Sequence, residues 1–364
     1  MVKYIFKRIL LSILILLGVS VILYGLLRCM PLNYVEQKFF SNGNQNMEEH
    51  WDKYYQMLAD SNLAKSDEEG KFLLKKDADG NIIYQKDEKG NDTSIPEVEE
   101  MPILEGYFMW LKDAIRGDFG ESWKYGQSVS SVIFKNMGVS FTVALISLIL
   151  QLIIAIPLGI KSACKQYSKL DYSVTILTMI GISFPSFFFG RLMIKFFAED
   201  WGWFPVGGII SPDLPVGASS MTMFLDKAWH LALPIFVLTI LSIGSLMRYT
   251  RTNTLEVLSA DYIRTARAKG LSEKTVIYKH AFRNTMIPVV TMLAGTLPSL
   301  FGGAMITEQI FDIPGIGNTA YQALQAGDIP FVMGYNMFIA VLTVAGVLLA
   351  DLMYAVVDPR VKLS

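Results

Sequence analysis

The sequence predicts an all-α membrane protein with six transmembrane helices, and two observations lead to this fold class: the overall hydrophobicity and the length of the apolar runs. Hydrophobic residues make up 52% of the 364 residues, a share typical of membrane proteins. A helix needs about 20 mostly apolar residues to cross a hydrocarbon core roughly 30 Å thick. The runs of about this length lie at residues 9–27, 139–160, 173–190, 228–247, 286–306 and 335–357.

The first run begins like a secretory signal peptide, so cleavage is the alternative to a retained span. Lys3, Lys7 and Arg8 precede the run and Arg28 follows it. Its apolar stretch is longer than the ~7 to 15 residues of a signal core, and no small-x-small cleavage site precedes Arg28. We therefore expect a retained N-terminal transmembrane helix over residues 1–28.

Basic residues are concentrated in the short segments on one side of the predicted spans, although the formal net charge of the chain is −1. Short loops rich in Lys and Arg stay in the cytoplasm. The segment from Glu36 to Glu105 has 17 acidic residues against eight lysines, a net charge of −9. We therefore expect cytoplasmic termini, an extracytoplasmic loop at 29–137 with a charged insert at about 33–105, and a core with five spans at 138–364. The basic residues assigned to the inside are Lys3, Lys7, Arg8, Lys161, Lys165, Lys169, Arg248, Arg251, Arg264, Arg267, Lys269, Lys274, Lys279, Arg283, Arg360 and Lys362.

The insert is predicted to be a small α/β or β-hairpin structure. Residues 72–84 are typical of two short strands joined by an Asp79-Gly80 turn, and a second turn is expected at residues 89–91. Oxygen-bearing side chains also stand at positions one, three, five and twelve of a calcium-binding loop: Asp77, Asp79, Asn81 and Glu88. That loop needs glycine at position six, where this chain has Ile82. A plain turn is therefore favoured, and no metal site is predicted.

The cytoplasmic loop at 248–285 is long, basic and organised as two short helices. Ser259 is the expected N-cap of the first helix, with Asp261 in its first turn. Gly270 can take the left-handed conformation that ends a helix. Ser272 is the expected N-cap of the second helix, which runs into Pro288.

The first of these helices is amphipathic. Tyr262, Ile263 and Ala266 share a face at helical spacing, and Arg264 and Arg267 lie on the rest of the surface. A small apolar stripe inside a basic rim fits a groove on a soluble partner. The same pattern fits a helix lying on anionic lipid, and the pattern alone favours neither interpretation.

Two segments of this loop, Arg264-Thr-Ala-Arg-Ala-Lys-Gly-Leu-Ser and His280-Ala-Phe-Arg-Asn-Thr-Met-Ile-Pro, resemble the cytoplasmic coupling loop of binding-protein-dependent ABC importer permeases. In the wider family the loop reads Glu-Ala-Ala, three residues, Gly, and later Ile-x-Leu-Pro. Here His280 and Phe282 stand in the Ile and Leu slots and Arg283 replaces Pro, as in the first permease of the oligopeptide, dipeptide and nickel importers. Further segments similar to that group begin at Gly117, Gly181, Trp203, Phe311 and Asp351.

The resemblance implies the type I ABC importer permease fold and a subunit that forms half of a translocation pathway. It implies four partners in the plasma membrane of a prokaryote: a second homologous permease, two cytoplasmic ATPase subunits and an extracytoplasmic substrate-binding lipoprotein. The chain has no Gly-x-x-x-x-Gly-Lys-Ser/Thr phosphate loop, so ATP and Mg are expected on the partners. We expect this chain to be no enzyme and to have no catalytic residue, no cofactor and no nucleic-acid partner. The ATPase-coupling residues implied are Tyr262, Ile263, Arg264, Thr265, Ala266, Arg267, Ala268, Lys269, Gly270 and Leu271.

The cargo and the driving force leave alternatives. Peptide is the preferred cargo, with nickel second. An ion-coupled secondary carrier is disfavoured because the predicted spans have almost no ionisable residue near the membrane centre, and Asp351, the nearest candidate, is expected to pair at a helix end.

The third predicted span contains a proline that should bend it. The residues around the bend could line a translocation path, or the bend could serve packing alone. The candidates for the path are Ser183, Phe184, Pro185 and Phe187.

Overall fold

The structure, a computed structural model, describes residues 2–29, 47–86 and 90–357, and helices dominate it. Several predictions fall on positions outside the described residues: residues 33–46 of the insert, which include Glu36, then Glu88, Lys89 of the second turn, Arg360 and Lys362. The helices are α1 (Val2–Cys29), α2 (Met47–Asp60), α3 (Ile103–Ile115), α4 (Val129–Cys164), α5 (Lys169–Ser183), α6 (Ser186–Met193), α7 (Ser220–Ser259), α8 (Asp261–Ala268), α9 (Glu273–Thr275), α10 (Phe282–Ala294), α11 (Leu297–Gly302), α12 (Met305–Ile310), α13 (Ile316–Gln325) and α14 (Ile329–Val357). The π-helical segments Ile194–Asp200 and Val276–Ala281 extend α6 and α9, and the strands are β1 (Tyr84–Lys86) and β2 (Asp92–Pro96).

Within the described residues, four helices are long and apolar enough to cross a membrane, and a bent helix pair provides a fifth if it counts as one span. The bent pair joins Lys169–Ser183 to Ser186–Asp200 at 103°. Pro185 stands at the break as the N-cap of α6, as predicted for a residue that lacks a backbone N–H and cannot continue the helix. The other four spans are Phe6–Leu26, Val129–Cys164, Ser220–Ser259 and Ile329–Asp351.

The predicted span at residues 286–306 is not a single helix in the structure. It is divided among α10, α11 and α12. Gly295 and Pro298 follow the end of α10, and Gly303 has φ +78°, a conformation that side chains other than glycine rarely adopt. The apolar run is continuous in sequence, but these residues interrupt its backbone. The total of six spans therefore stays a prediction.

The chain divides into two compact units. The core unit comprises residues 1–9, 136–318 and 342–364, and the insert unit comprises residues 10–135 and 319–341. Inside the core unit α5 and α7 approach closely: a Cβ atom added to Gly244 would lie 2.8 Å from the carbonyl oxygen of Thr178. Glycine at the crossing therefore allows the two backbones to meet, as small residues do in membrane helix pairs.

The insert unit contains the antiparallel strands β1 and β2, and single bridges continue the pairing within residues 64–82 and 98–100. The chain reverses at Gly80, which has φ +88° and donates its N–H to the carbonyl oxygen of Asp77 at 3.1 Å. The Asp77 carboxylate accepts a hydrogen bond from the Asn81 N–H at 2.8 Å, and this bond holds the pKa of Asp77 below its ordinary value. The carboxylate is thus engaged in a plain turn.

Helix α2 packs on these strands through Tyr54, Tyr55 and Leu58, which are buried together with Trp110 of α3. The Tyr55 hydroxyl donates to the carbonyl oxygen of Pro96 at 2.7 Å. The aromatic side chains therefore give the insert unit a core of its own.

Asp328, just before α14, is a second anchor of the insert unit. Its side chain is buried and accepts hydrogen bonds from the Ser122 hydroxyl at 2.5 Å, from the Lys124 N–H at 3.1 Å and from the Phe331 N–H at 3.1 Å. One carboxylate therefore joins the segment that begins at Gly117 to the start of α14.

Candidate coupling site

The predicted coupling residues lie on α8 and on the turn that follows it. Helix α7 ends at Ser259, and a single extended residue, Ala260, separates it from α8. The prediction that Ser259 caps α8 is wrong: Ala260 is the N-cap and makes no side-chain hydrogen bond there. The Ser259 hydroxyl instead donates to the carbonyl oxygen of Glu256 at 2.7 Å, because Ser259 is still the last residue of α7 and the cap lies one residue later.

The turn after α8 is as predicted. Gly270 has φ +76°, the left-handed conformation that ends a helix at low cost in glycine. Ser272 caps α9, and its hydroxyl accepts a hydrogen bond from the Thr275 N–H at 3.3 Å. The second predicted helix was expected to run into Pro288. In the structure α10 continues through Pro288 to Ala294.

The predicted apolar stripe of α8 divides between two surroundings. Ile263 and Ala266 are buried and form a small core with Val276 and Ala281 of the following π-helical segment. Tyr262 is 46% exposed. Ile263 and Ala266 therefore attach α8 to its own chain, and a groove on another protein cannot receive them without undocking the helix.

The exposed surface of α8 and of the turn after it carries three basic residues and one acidic residue. Arg267 pairs with Glu273 at 2.8 Å and so joins α8 to α9 across the Gly270 turn. Arg264 lies 3.8 Å from Asp261 in an exposed ion pair, and such pairs add little stability. The exposed residues of this surface are Asp261, Tyr262, Arg264, Thr265, Arg267, Ala268, Lys269, Gly270 and Leu271.

A charge network around the buried Asp171 includes Arg251 of α7, ten residues before α8 begins. Arg251 donates to both carboxylate oxygens of Asp171, at 2.7 Å and 3.0 Å. Ser162 donates its hydroxyl to Asp171 at 2.5 Å, and the Tyr167 N–H donates at 3.0 Å. Bidentate pairing of this kind fixes geometry, so the end of α4 and the start of α5 are held to the C-terminal part of α7.

Sequence reasoning counted Arg251 only as a basic residue and missed Asp171. One signal could have revealed it, because Asp171 is the single acidic residue in the segment 161–172, which otherwise carries Lys161, Lys165 and Lys169. An isolated carboxylate in a basic loop at the start of a span indicates that the carboxylate pairs with a basic side chain in the folded protein.

The four candidates for the path lie at the break between α5 and α6. Ser183 ends α5 and lines a cavity of about 390 Å³ together with Thr178, Arg248 and Arg251. Phe187 is 59% exposed, and the ring of Phe184 stacks on Phe188 with 6.0 Å between centroids. The structure thus places Ser183 beside a largely apolar cavity that also contains two arginines, Arg248 and Arg251, and places the phenylalanines around the bend.

A buried carboxylate in α12 was also missed. Glu308 accepts hydrogen bonds from the Ser140 hydroxyl at 2.6 Å, from the Ala304 N–H at 3.1 Å and from the Asn318 N–H at 2.9 Å. A Cβ atom on Gly315 would lie 2.4 Å from its Oε2 atom, so this glycine makes room for the carboxylate. The motif that begins at Phe311 contains Gly315 and was singled out, but the pattern gave no sign of the acidic residue that it surrounds.

Asp351 forms an ion pair with Arg8, with 3.0 Å between Arg8 Nη1 and Asp351 Oδ2. Both residues belong to the core unit and lie near the ends of their helices. The predicted helix-end pairing of Asp351 is therefore confirmed.

Comparison with known proteins identifies similar sequences along the whole chain. Residues 155–363 match the family model described as "Binding-protein-dependent transport system inner membrane component". The oligopeptide transport system permease protein AppB of Bacillus subtilis is 35% identical over 363 residues, which cover 100% of both chains. The dipeptide transport system permease protein DppB of Alkalihalophilus pseudofirmus is 34% identical over 268 residues, 70% of this chain and 80% of the relative. Among solved structures, an inward-facing MetNI methionine ABC transporter is 16% identical with a TM-score of 0.47, over 62% of this chain and 96% of that chain.

Proposed function

Because this chain belongs to the family of inner membrane components of binding-protein-dependent transport systems, we propose that it is the permease subunit of an ATP-driven peptide importer. Its relatives are named as oligopeptide and dipeptide permeases, which supports peptide as the cargo, and nickel stays the second candidate. On this proposal the chain forms six spans in the type I ABC importer permease fold and contributes half of a translocation pathway. It lies in the plasma membrane of a prokaryote, with both termini in the cytoplasm and the insert outside.

The proposed partners are those of the family. They are a second homologous permease, two cytoplasmic ATPase subunits that bind ATP and Mg, and an extracytoplasmic lipoprotein that binds the substrate. The acidic insert and the basic loop at 248–285 support this orientation, because short basic loops remain in the cytoplasm.

One observation supports α8 as the coupling element: it is fixed to its own chain on one side and exposed on the other. Ile263 and Ala266 hold it against the π-helical segment that leads into α10, and only Ala260 separates it from α7. A force on the exposed surface is therefore transmitted to both α7 and α10. ATP-driven closure of the ATPases would move α8 as a rigid body and shift the spans between inward and outward openings.

The bend at Pro185 supports a path-lining role for Ser183, Phe184, Pro185 and Phe187. The helical span is interrupted at this bend. Backbone polar groups without a helical partner are tolerated at such a break where they face protein or a water-filled cavity. The cavity beside Ser183 includes Arg248 and Arg251, which offers polar groups to a passing peptide.

Topology labelling tests the proposal. Ala268→Cys and Asp79→Cys are made in a chain whose Cys29 and Cys164 are replaced by serine, and a membrane-impermeant maleimide is applied to inside-out and right-side-out vesicles. We expect labelling of Ala268→Cys in inside-out vesicles and of Asp79→Cys in right-side-out vesicles. Labelling of Ala268→Cys from the exterior would refute the proposal, since no cytoplasmic ATPase could reach that surface.

The labelling rate of Ala268→Cys also distinguishes two interpretations of α8, a helix docked on the ATPases and a helix lying on lipid. When the ATPase subunits are bound, the proposal expects slower labelling of Ala268→Cys than in vesicles stripped of the ATPases. Equal rates in the two preparations would favour a helix that rests on the membrane surface.

A further inference from the structure

Helix α3, which follows the strands of the insert, presents three chemically different sides. Gly106 and Trp110 are buried, whereas Leu104, Phe108 and Ile115 are 74%, 64% and 76% exposed. The exposed three recur at helical spacing and share one face. One side of α3 therefore meets protein, and a second side is an uncovered apolar stripe.

The third side of α3 is polar. Glu105 and Lys112 are two turns apart on the face next to the stripe, and both are exposed. A charged face that borders an apolar face at about a right angle is typical of a helix lying at a membrane interface. A helix surrounded entirely by apolar groups would not need such a charged face.

The buried side of α3 packs on α1, and both regions belong to the insert unit. The hydroxyl groups of Tyr107 and Ser20 are 3.0 Å apart, and the rings of Tyr24 and Trp110 lie 6.0 Å apart. A Cβ atom on Gly106 would come 2.2 Å from the Tyr24 hydroxyl, so glycine is needed for this approach. The contact between α1 and α3 is close and specific.

These contacts set the depth of α3 relative to the membrane. Ser20 and Tyr24 lie inside the apolar stretch Phe6–Leu26 of α1. Ser20 precedes Leu26 by six residues, which corresponds to about 9 Å along a helix. On other faces of the same part of α1, Val21 and Ile22 are 53% and 61% exposed, as expected for side chains that face lipid.

We propose that α3 lies in the membrane interface at the C-terminal end of α1, with Leu104, Phe108 and Ile115 inserted among lipid acyl chains. Glu105 and Lys112 then lie at the level of the headgroups, and Gly106 and Trp110 stay on the protein. Lipid is the occupant because α3 contacts α1 within its apolar stretch, so that the uncovered stripe is at the depth of the lipid-facing surface of α1. The helix fixes the height of the insert above the bilayer.

Nitroxide accessibility tests this placement. Spin labels are attached to Leu104→Cys, Phe108→Cys and Ile115→Cys, with Glu105→Cys and Lys112→Cys as matched controls, in the full chain lacking Cys29 and Cys164 and reconstituted in phosphatidylethanolamine and phosphatidylglycerol liposomes. Oxygen concentrates in the acyl region, whereas a nickel chelate stays in water. The ratio of oxygen to nickel collision rates should be several-fold higher at the three stripe positions than at the two controls.

Two results would overturn the proposal. Equal, high nickel access at all five positions would place α3 in water. Low access to both reagents at the stripe positions would show that protein, such as a partner subunit or a second copy of this chain, covers them.

A measurement on the unsubstituted chain avoids any effect of the substitutions. Phospholipids that carry a photoreactive diazirine on the acyl chain are crosslinked to the reconstituted chain, and the adducts are mapped by mass spectrometry. Adducts are expected on Leu104, Phe108 and Ile115, with Ile22 of α1 as the internal positive control. Adducts on Ile22 without any on α3 would contradict the proposal.

Discussion

Glu308 is a carboxylate whose two oxygens receive hydrogen bonds from three donors in three different segments of the core unit. The Ser140 hydroxyl that donates to it also accepts from the Ile316 N–H at 2.8 Å, so the donors are themselves fixed. Buried carboxylates need such partners because an unpaired buried charge is costly. The glycine at position 315 and the acid at position 308 therefore form one unit, and neither residue can be changed alone.

We predict that Glu308→Gln destabilises the core unit by about 1–3 kcal/mol. The side-chain amide of the substituted glutamine has one oxygen and one NH₂ group. In one orientation the NH₂ group faces the Asn318 N–H, and in the other it faces the donors Ser140 and Ala304. In either case donors face each other without an acceptor. Thermal unfolding in detergent measures the effect, and Gln309→Ala, at an exposed position of the same helix, is the matched control. An unchanged melting temperature of Glu308→Gln would mean that the three donors find other acceptors.

Asp328 gives a prediction about pH. Burial raises the pKa of this carboxyl group, and the hydrogen bonds from Ser122 and Lys124 oppose that rise. The folded state therefore holds the proton at a higher pH than the unfolded state does. The protonated Asp328 carboxyl group therefore contributes fully to the free energy of unfolding below the ordinary pKa of an aspartate. This contribution is lost as the pH rises through the raised pKa, and it amounts to about 1.4 kcal/mol for each unit by which the pKa is raised.

Thermal unfolding of the full chain between pH 4 and 8 checks this sign. The wild-type chain should lose stability relative to Asp328→Asn as pH rises, whereas Asp79→Asn, on the exposed turn of the insert, should follow the wild type. A parallel pH profile for wild type and Asp328→Asn would contradict the prediction.

At the scale of elements, α8 shows what an amphipathic pattern can predict. The pattern located the helix, the glycine that ends it and the serine that caps the next one, because these signals are local. It could not say what covers the apolar face, since that depends on where the chain returns after Gly270. The cover proved to be Val276 and Ala281 of the same chain, so the surface open to a partner is the basic one.

The Gly270 turn carries the second prediction about coupling. Proline fixes φ near −65° and cannot adopt the +76° observed at this position, and it also lacks the N–H that Gly270 donates to the Arg267 carbonyl oxygen at 2.9 Å. We expect Gly270→Pro to leave the chain inserted in the membrane and to abolish its association with the ATPase subunits. Co-purification of the ATPases measures this.

Gly270→Asn is the matched control, because asparagine tolerates the left-handed conformation. It should retain the ATPases at close to the wild-type yield. Recovery of the ATPases with Gly270→Pro at normal yield would show that the position of α8 does not matter for docking.

At the scale of the whole molecule, hydropathy predicted where the chain is apolar but not where its backbone breaks. Four runs became long helices and the run at 173–190 became a bent pair, as Pro185 led us to expect. The run at 286–306 became three helices, because Gly295, Pro298 and Gly303 affect the backbone conformation. A hydropathy scale measures the polarity of side chains and carries no information about backbone conformation. The interior networks of Asp171 and Glu308 join residues far apart in sequence, so no local pattern could reveal them.

Two ion pairs in the described spans lead to a prediction about the source of energy. A carrier driven by an ion gradient needs an ionisable group in its spans that can bind and release the ion. Two carboxylates of the described spans are instead held by arginine: Asp171 by Arg251 at 2.7 Å and Asp351 by Arg8 at 3.0 Å. Ion pairs of this kind fix the helix ends, and under the proposed function the driving force is applied at α8.

We therefore predict that liposomes with this chain alone take up no peptide under a proton or sodium gradient. Liposomes with the assembled complex should take up peptide when ATP reaches the ATPase side and the substrate-binding protein is on the other side. Complexes whose ATPases lack the phosphate-loop lysine are the control, and they should be inactive although fully assembled. Uptake by the isolated chain under an ion gradient would assign the driving force to the spans themselves, since in that preparation no ATPase is present to act on α8.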